Sequence, residues 1–237
     1  MVMENVVFFG DSNTARSGFR NKFRDKYLVH MCASSGASPK KIMEYVYDFV
    51  SNDDFTELGY KKEETIFVIQ YSFLSRLYIP RRVETPNEFD GQFHSPVFNP
   101  TEKLTMELSD QNINTFYNFF IQNFYDEELY FNQFCKDVDI LNGYLDYNNI
   151  NYVNHLWDST CVIETFKSPT YEFLHNKMAK LKFIEFEKNQ FLFGRIAERD
   201  KLRIFDEVGI NDYHLSDIGN DVLYRHIKKV IEDYSKN

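Results

Sequence analysis

Two short stretches at opposite ends of the chain carry residue types that can do acyl-transfer chemistry together. The first is Gly10-Asp11-Ser12-Asn13, which follows the apolar run Asn5 to Phe9. The second is Asn211-Asp212-Tyr213-His214-Leu215-Ser216-Asp217-Ile218-Gly219. A serine hydroxyl is a poor nucleophile until a base takes its proton, and a neutral histidine needs a carboxylate to fix its tautomer and stabilise its cation. Ser12, His214 and Asp212 supply those three roles. An extended backbone over Asp212 to His214 would point both side chains to the same side, because successive residues of an extended chain alternate. Thr14 stands where the G-x-S-x-G elbow of α/β-hydrolases has its second glycine, so that arrangement is excluded.

The elements that must position these residues follow from the hydrophobic pattern. Asn5 to Phe9 (NVVFF) reads as a strand buried on both faces, ended by Gly10 and Asp11. Thr14 to Lys26, with Phe19, Phe23 and Tyr27 at helical spacing, predicts a short amphipathic helix. Leu28 to Cys32 predicts a second strand, and Pro39 opens a helix with Ile42, Met43, Val46 and Val50 on one face. Thr65 to Ile69 (TIFVI) predicts a third strand, which completes a β-α-β-α-β alternation and so a parallel sheet with helices on its faces. Residues 71–110 hold four of the six prolines with little periodicity and read as a long insertion or lid loop within a single domain spanning 1–237. Ile113 to Phe124 and Leu129 to Tyr147 predict helices, and Ile150 to Asn154 a fourth strand; residues 171–205 show no clear order. The second chemical stretch reads as a loop leading into a terminal helix over Leu215 to Tyr234, with Ser216 as its N-cap. A serine on the turn after the first strand then lies at the carboxyl edge of the sheet, where open α/β sheets bind ligands.

These features resemble the SGNH hydrolases, also called GDSL-like esterases and lipases. The strand with Gly10-Asp11-Ser12 resembles the family's first motif, Ser34-Ser35-Gly36-Ala37-Ser38 its second, and Asp212 with His214 its last. The resemblance implies a three-layer α/β/α fold with a mostly parallel, flavodoxin-like sheet, Ser12 as nucleophile, His214 as general base and acid, and Asp212 orienting it. It further implies an oxyanion hole built from the backbone N–H groups of Ser12 and Gly36, and a reaction through an acyl-enzyme with no metal and no organic cofactor. Two departures stand out. The family's third motif, G-x-N-D, supplies an oxyanion-hole Asn, whereas Ile69 is followed here by Gln70-Tyr71-Ser72-Phe73-Leu74-Ser75-Arg76. Loss of such a donor costs about 10² to 10³ in rate, so Gln70, Ser72 or Arg76 is expected to replace it. The family often has Asp three residues before His, where this chain has Asn211. Asp212 gives the D-x-H form found in relatives that act on acetyl groups of polysaccharides, which suggests a small acyl, even acetyl, ester of a carbohydrate as substrate. Asp11, Asn13, Arg76, Tyr71, Phe73 and Tyr78 are the expected substrate contacts. The same triad could instead pass the acyl group to a sugar hydroxyl, and the absent G-x-N-D motif also leaves open an inactive binding or structural module.

Composition narrows the partners. The 237 residues carry 27 Lys plus Arg against 36 Asp plus Glu, a net charge of −9 that disfavours nucleic acid and anionic lipid. No run approaches the roughly 18 apolar residues of a membrane span, and Met1 to Asn13 lacks a signal-peptide pattern, so a cytoplasmic site of synthesis is expected. Cys32, Cys135 and Cys161 have no C-x-x-C spacing, and His94, His155, His175 and His226 have no matched ligand spacing, so neither a disulfide framework nor a zinc site is expected. Oligomeric state has no sequence signal. His30 reads as a buried core residue, Phe116, Phe119, Phe120 and Phe124 as a core stripe, and Glu185 with Glu187 gives no paired-carboxylate signature. With 24 Phe and 16 Tyr but 1 Trp, most aromatics fall at core spacing; Tyr71, Phe73, Tyr78, Phe89, Phe93 and Phe98 cluster instead in the proline-rich loop, near the expected active-site edge.

Overall fold

A computed structural model describes residues 3–11, 14, 18–34, 37–71, 119, 123, 127–157, 176–188, 191, 193–205 and 211–236. Four strands form one parallel sheet in the order β2-β1-β3-β4: β1 Asn5–Gly10, β2 Leu28–Ala33, β3 Thr65–Tyr71 and β4 Asn151–Leu156. β1 and β3 are buried at every residue, which explains why their sequences run apolar without alternation. Val6 pairs with Val29 on one side and Ile66 on the other, and Gln70 pairs with His155. The chain moves outward in one direction from β1 to β2 and in the other from β3 to β4. The strand order therefore reverses between β1 and β3, the doubly wound arrangement whose ligand crevice lies at the carboxyl ends of those two strands.

Two hydrophobic cores, one on each face, give three layers. On the first face lie α1 Pro39–Ser51, α2 Asp54–Leu58 and α3 Glu127–Tyr147, packed on Val7, Phe9, Phe67, Ile69, Tyr71 and Leu156. Ser38 caps α1 by accepting the Lys41 N–H, Pro39 fills the first turn, and Ile42, Met43, Val46, Phe49 and Val50 form its buried stripe. The α3 helix buries Phe131, Phe134, Cys135, Val138, Leu141 and Leu145 at intervals of three and four residues. On the second face lie a 3-10 helix over Gly18–Phe23, α4 Phe193–Arg199 and α5 Asp217–Tyr234, packed on Val6, Phe8, Val68, Val153 and Trp157. Phe9, Phe49, Phe55 and Phe67 interlock on the first face with ring centroids 4.9–5.7 Å apart. Burial of each such ring contributes about 1.5–3 kcal/mol.

Several expectations need correction. The segment before β2 is a 3-10 helix starting at Gly18, although Thr14 already has helical backbone. His30 is half-buried rather than a core residue, because β2 is an edge strand; it packs on the Phe49 ring. Phe119 is helical as expected but 56% exposed, so it is not a core residue. Residues 211–215 are not a loop: Asn211–Leu215 is β6, antiparallel to β5 Arg203–Phe205 in a separate two-stranded sheet. Residues 171–205 contain a helical turn at 176–180, then a bridge from Phe183 to Asn154, then α4 and β5. The expected insertion at 71–110 lies outside the described residues except for Tyr71. Among the described residues no helix is long and apolar enough to cross a membrane.

Candidate active site at the carboxyl edge of the sheet

The switch point between β1 and β3 carries buried polar side chains just beyond the apolar runs Val6 to Phe9 and Ile66 to Ile69. Asp11, directly after β1, is fully buried, and Gln70 near the end of β3 is 3% exposed. Gln70 Nε2 donates to Asp11 Oδ1 at 2.9 Å. The hydroxyl of Thr14, also buried, donates to Gln70 Oε1. A buried carboxylate is tolerable only when hydrogen-bonded, and the Gln70 amide meets that need. Gly10 is required by the same packing, since a Cβ there would lie 2.7 Å from Thr14 Cβ and 3.1 Å from Gln70 Oε1. Ser12 and Asn13, between Asp11 and Thr14 in sequence, lie outside the described residues.

The turn after β2 is tied to the same edge. The Ser34 N–H donates to Gly10 O at 3.3 Å, and the Ala37 N–H to Ser34 O at 3.3 Å. Ser34 Oγ lies 2.6 Å from Tyr45 Oη, which fixes the turn to α1. Gly36, the expected second oxyanion donor, lies outside the described residues.

Asp212 and His214 have strand backbone in β6, and their side chains lie outside the described residues. The register with β5 shifts between Arg203 and Ile204: Arg203 pairs with Leu215, but Ile204 pairs with Asp212. Tyr213 and His214 therefore form a bulge, an irregularity that bends a strand and re-aims its residues. Below the bulge, the Ser216 N–H and Oγ–H both donate to Leu202 O, and Ser216 Oγ accepts the Gly219 N–H, capping α5. Gly219 sits so close that a Cβ would collide with the Leu202 carbonyl and lie 2.9 Å from Leu215 Cδ2.

Asn220 joins the two ends of the chain. Its Oδ1 accepts the Phe19 N–H at 3.2 Å while its Nδ2 donates to Leu215 O and Ser216 O at 3.3 and 3.0 Å. Lys22 and Asp221 add a surface ion pair at 2.6 Å. The segment after Gly10-Asp11-Ser12 is thereby fastened to the helix that follows Asp212 and His214.

Among the expected oxyanion donors, Gln70 has its amide engaged by Asp11 and Thr14, while Ser72 and Arg76 lie outside the described residues, as do Phe73 and Tyr78. Tyr71, expected to contact substrate, is instead a core residue, fully buried against Phe134 and Phe183, and burial pushes its phenol well above its ordinary range. The contacts made by Thr14, Asn220 and His155 lie outside the sequence motifs. Asn220 had a sequence signal: it falls on the stripe of Leu223, Ile227 and Ile231, where only apolar residues belong unless a polar one has a fixed partner. His155, beside Gln70 in register, is fully buried among the rings of Trp157, Phe186 and Phe193, with neither ring nitrogen hydrogen-bonded. Burial, with a smaller contribution from His226, pushes its pKa down to about 3, so it is neutral. Among the described residues no group of three or more His, Cys, Asp or Glu could hold a metal ion.

The sheet order and the layers on its faces define an α/β/α protein of the doubly wound class. No protein-family model and no curated protein sequence matches the chain. Among solved structures it is similar to one from Bacteroides fragilis described provisionally as an acylhydrolase, at 13% identity and a TM-score of 0.41 over 98% of this chain and 88% of that one. It is also similar to a GDSL-like lipase from Bacteroides thetaiotaomicron, at 13% identity and a TM-score of 0.39 over 98% of this chain and 89% of that one.

Proposed function

We propose that the protein is a serine ester hydrolase of the SGNH type. The observation that carries this reading is the position of Gly10 and Asp11, the two residues before Ser12 in sequence: they end the β1 strand at the point where the strand order reverses, between β1 and β3. The Phe19–Asn220 bond supports it further, because it joins a residue that follows Ser12 in sequence to one that follows His214.

In this reading His214 takes the Ser12 proton as Oγ attacks the acyl carbonyl, and Asp212 stabilises the imidazolium that forms. The backbone N–H groups of Ser12 and Gly36 hold the tetrahedral oxyanion. Collapse expels the alcohol, protonated by His214, and leaves an acyl-enzyme. Water, deprotonated by His214, then releases the acid and frees Ser12. The substrate class is a small acyl ester, an acetylated carbohydrate foremost. The test compares wild type with Ser12→Ala on a short-chain nitrophenyl ester and with a serine-reactive phosphonate. Activity and labelling are expected in wild type and at background in Ser12→Ala; equal background rates in both, or labelling that persists in Ser12→Ala, would refute the assignment.

A further inference from the structure

We propose that Gln70 is a positioning residue that clamps the serine turn from both sides, a role resting on the hydrolase reading above. The sequence left its amide as one of three stand-ins for a missing oxyanion donor. The hydrogen bonds give it different work. Asp11 presents an acceptor oxygen, and the Gln70 group facing it is the NH₂, at 2.9 Å. That fixes the amide orientation and leaves Oε1 to accept from Thr14, as found. A flipped amide would set an oxygen against a buried carboxylate, which the surroundings forbid. Both ends of one rigid amide are therefore committed.

The two residues it holds flank the serine: Asp11 immediately precedes Ser12, and Thr14 follows Asn13. Gln70 itself belongs to β3, whose neighbours Ile69 and Tyr71 are buried on the opposite face, so the clamp is anchored in the sheet rather than in a loop. Gly10 completes it, since any side chain there would displace Thr14. Each contact crosses from β3 to a residue beside the serine at a sequence separation of 56 or 59 residues, so both described flanks are held by a neighbouring strand. A misplacement of about 1 Å at a reacting atom can cost on the order of 10² in rate, and fixing both flanks of the nucleophile is a direct means of avoiding that loss.

The experiment is a double-mutant cycle on Thr14→Val and Gln70→Ala, read by the rate of phosphonate labelling at Ser12 and by kcat and KM on a nitrophenyl ester. A clamp predicts that each single variant slows labelling and kcat by about 10- to 100-fold with KM changed less than about threefold, and that the double variant is no slower than the slower single one. Losses that multiply, or a Thr14→Val variant at the wild-type rate, overturn the clamp and leave Gln70 acting alone. Gln70→Glu keeps the shape and guards against a folding defect. Its introduced carboxyl can bridge Asp11 and Thr14 only when protonated, so its rate relative to wild type is expected to rise from about pH 8 to about pH 5.5, and a flat ratio counts against the clamp. Wild-type protein that is not labelled removes the hydrolase reading and this role with it, whereas labelled wild type with uncoupled variants overturns the clamp alone.

Discussion

The backbone N–H of Phe19 donates to the side-chain oxygen of Asn220 at 3.2 Å, joining positions 201 residues apart in sequence. The same side chain reaches back to Leu215 O and Ser216 O, so one buried amide satisfies a donor beyond the β1 turn and two acceptors at the start of α5. The loop it closes is nearly the whole chain, so the contact is a purely tertiary one between the 3-10 helix and α5.

Replacing that amide is expected to be costly. Asn220→Ala strands the Phe19 N–H in a buried setting, a penalty of about 1–3 kcal/mol. For a chain of this size that corresponds to a fall in Tm of about 2–4 °C per kcal/mol. Thermal unfolding checks the stability, and phosphonate labelling checks the site; a variant as stable and as reactive as wild type would show that the bond couples nothing.

Gly219→Ala tests the same junction by steric means. The added methyl would meet the Leu202 carbonyl, which already accepts both Ser216 bonds, so either the α5 cap or the β5–β6 pair must shift. The expected loss is about 1–3 kcal/mol. Helix propensity alone would make this substitution favourable by about 1 kcal/mol, so a stabilised variant in denaturant unfolding would mean the junction tolerates the methyl.

The strands and the terminal helix were legible because their signals are local. Val6 to Phe9 and Ile66 to Ile69 are apolar on both faces, and Ser216 caps α5 by contacting a residue only three positions away. What escaped was decided by distant partners. Asn211 to Leu215 looked like a loop because Asn and Asp disfavour strands, yet β5 pairs with it. His30 looked internal because its neighbours are apolar, and only the sheet order reveals β2 as an edge. Gln70 was visible as a polar residue ending an apolar strand, but its partners Asp11 and Thr14 follow a different strand. Sequence order alone does not state which strand ends meet.

The surplus of phenylalanine is expected to divide sharply by position. Phe67 touches Phe9, Phe49 and Phe55 and is fully buried, so Phe67→Ala should cost about 3–5 kcal/mol. Phe119→Ala, at a 56% exposed position, should fall within about 0.5 kcal/mol of wild type. Urea unfolding of the two variants decides it; a large loss at Phe119 would mean that its exposed ring is covered in the folded protein in solution.

His155 makes the acid side of the stability curve predictable in sign. Burial holds it neutral down to a pKa of about 3, against about 6.5 in an unfolded chain. Between those values the unfolded state binds the extra proton, so its contribution to stability is complete above about pH 6.5 and is lost as pH falls towards about 3, at up to about 1.4 kcal/mol per pH unit. His226, which packs on Phe186, is also held below its ordinary value, first by burial and then by Arg225 and Lys229, with Glu187 opposing; it adds a smaller change of the same sign. Neither nitrogen of His155 is hydrogen-bonded, so His155→Phe removes a desolvation penalty without breaking a bond, among rings that suit a phenyl group. The variant is expected to match or exceed wild-type stability near pH 7 and to lose less on acidification. Urea unfolding at about pH 7 and about pH 4.5 measures both slopes. Parallel acid limbs in the two proteins would show that His155 finds a partner for its proton and is not isolated in the core.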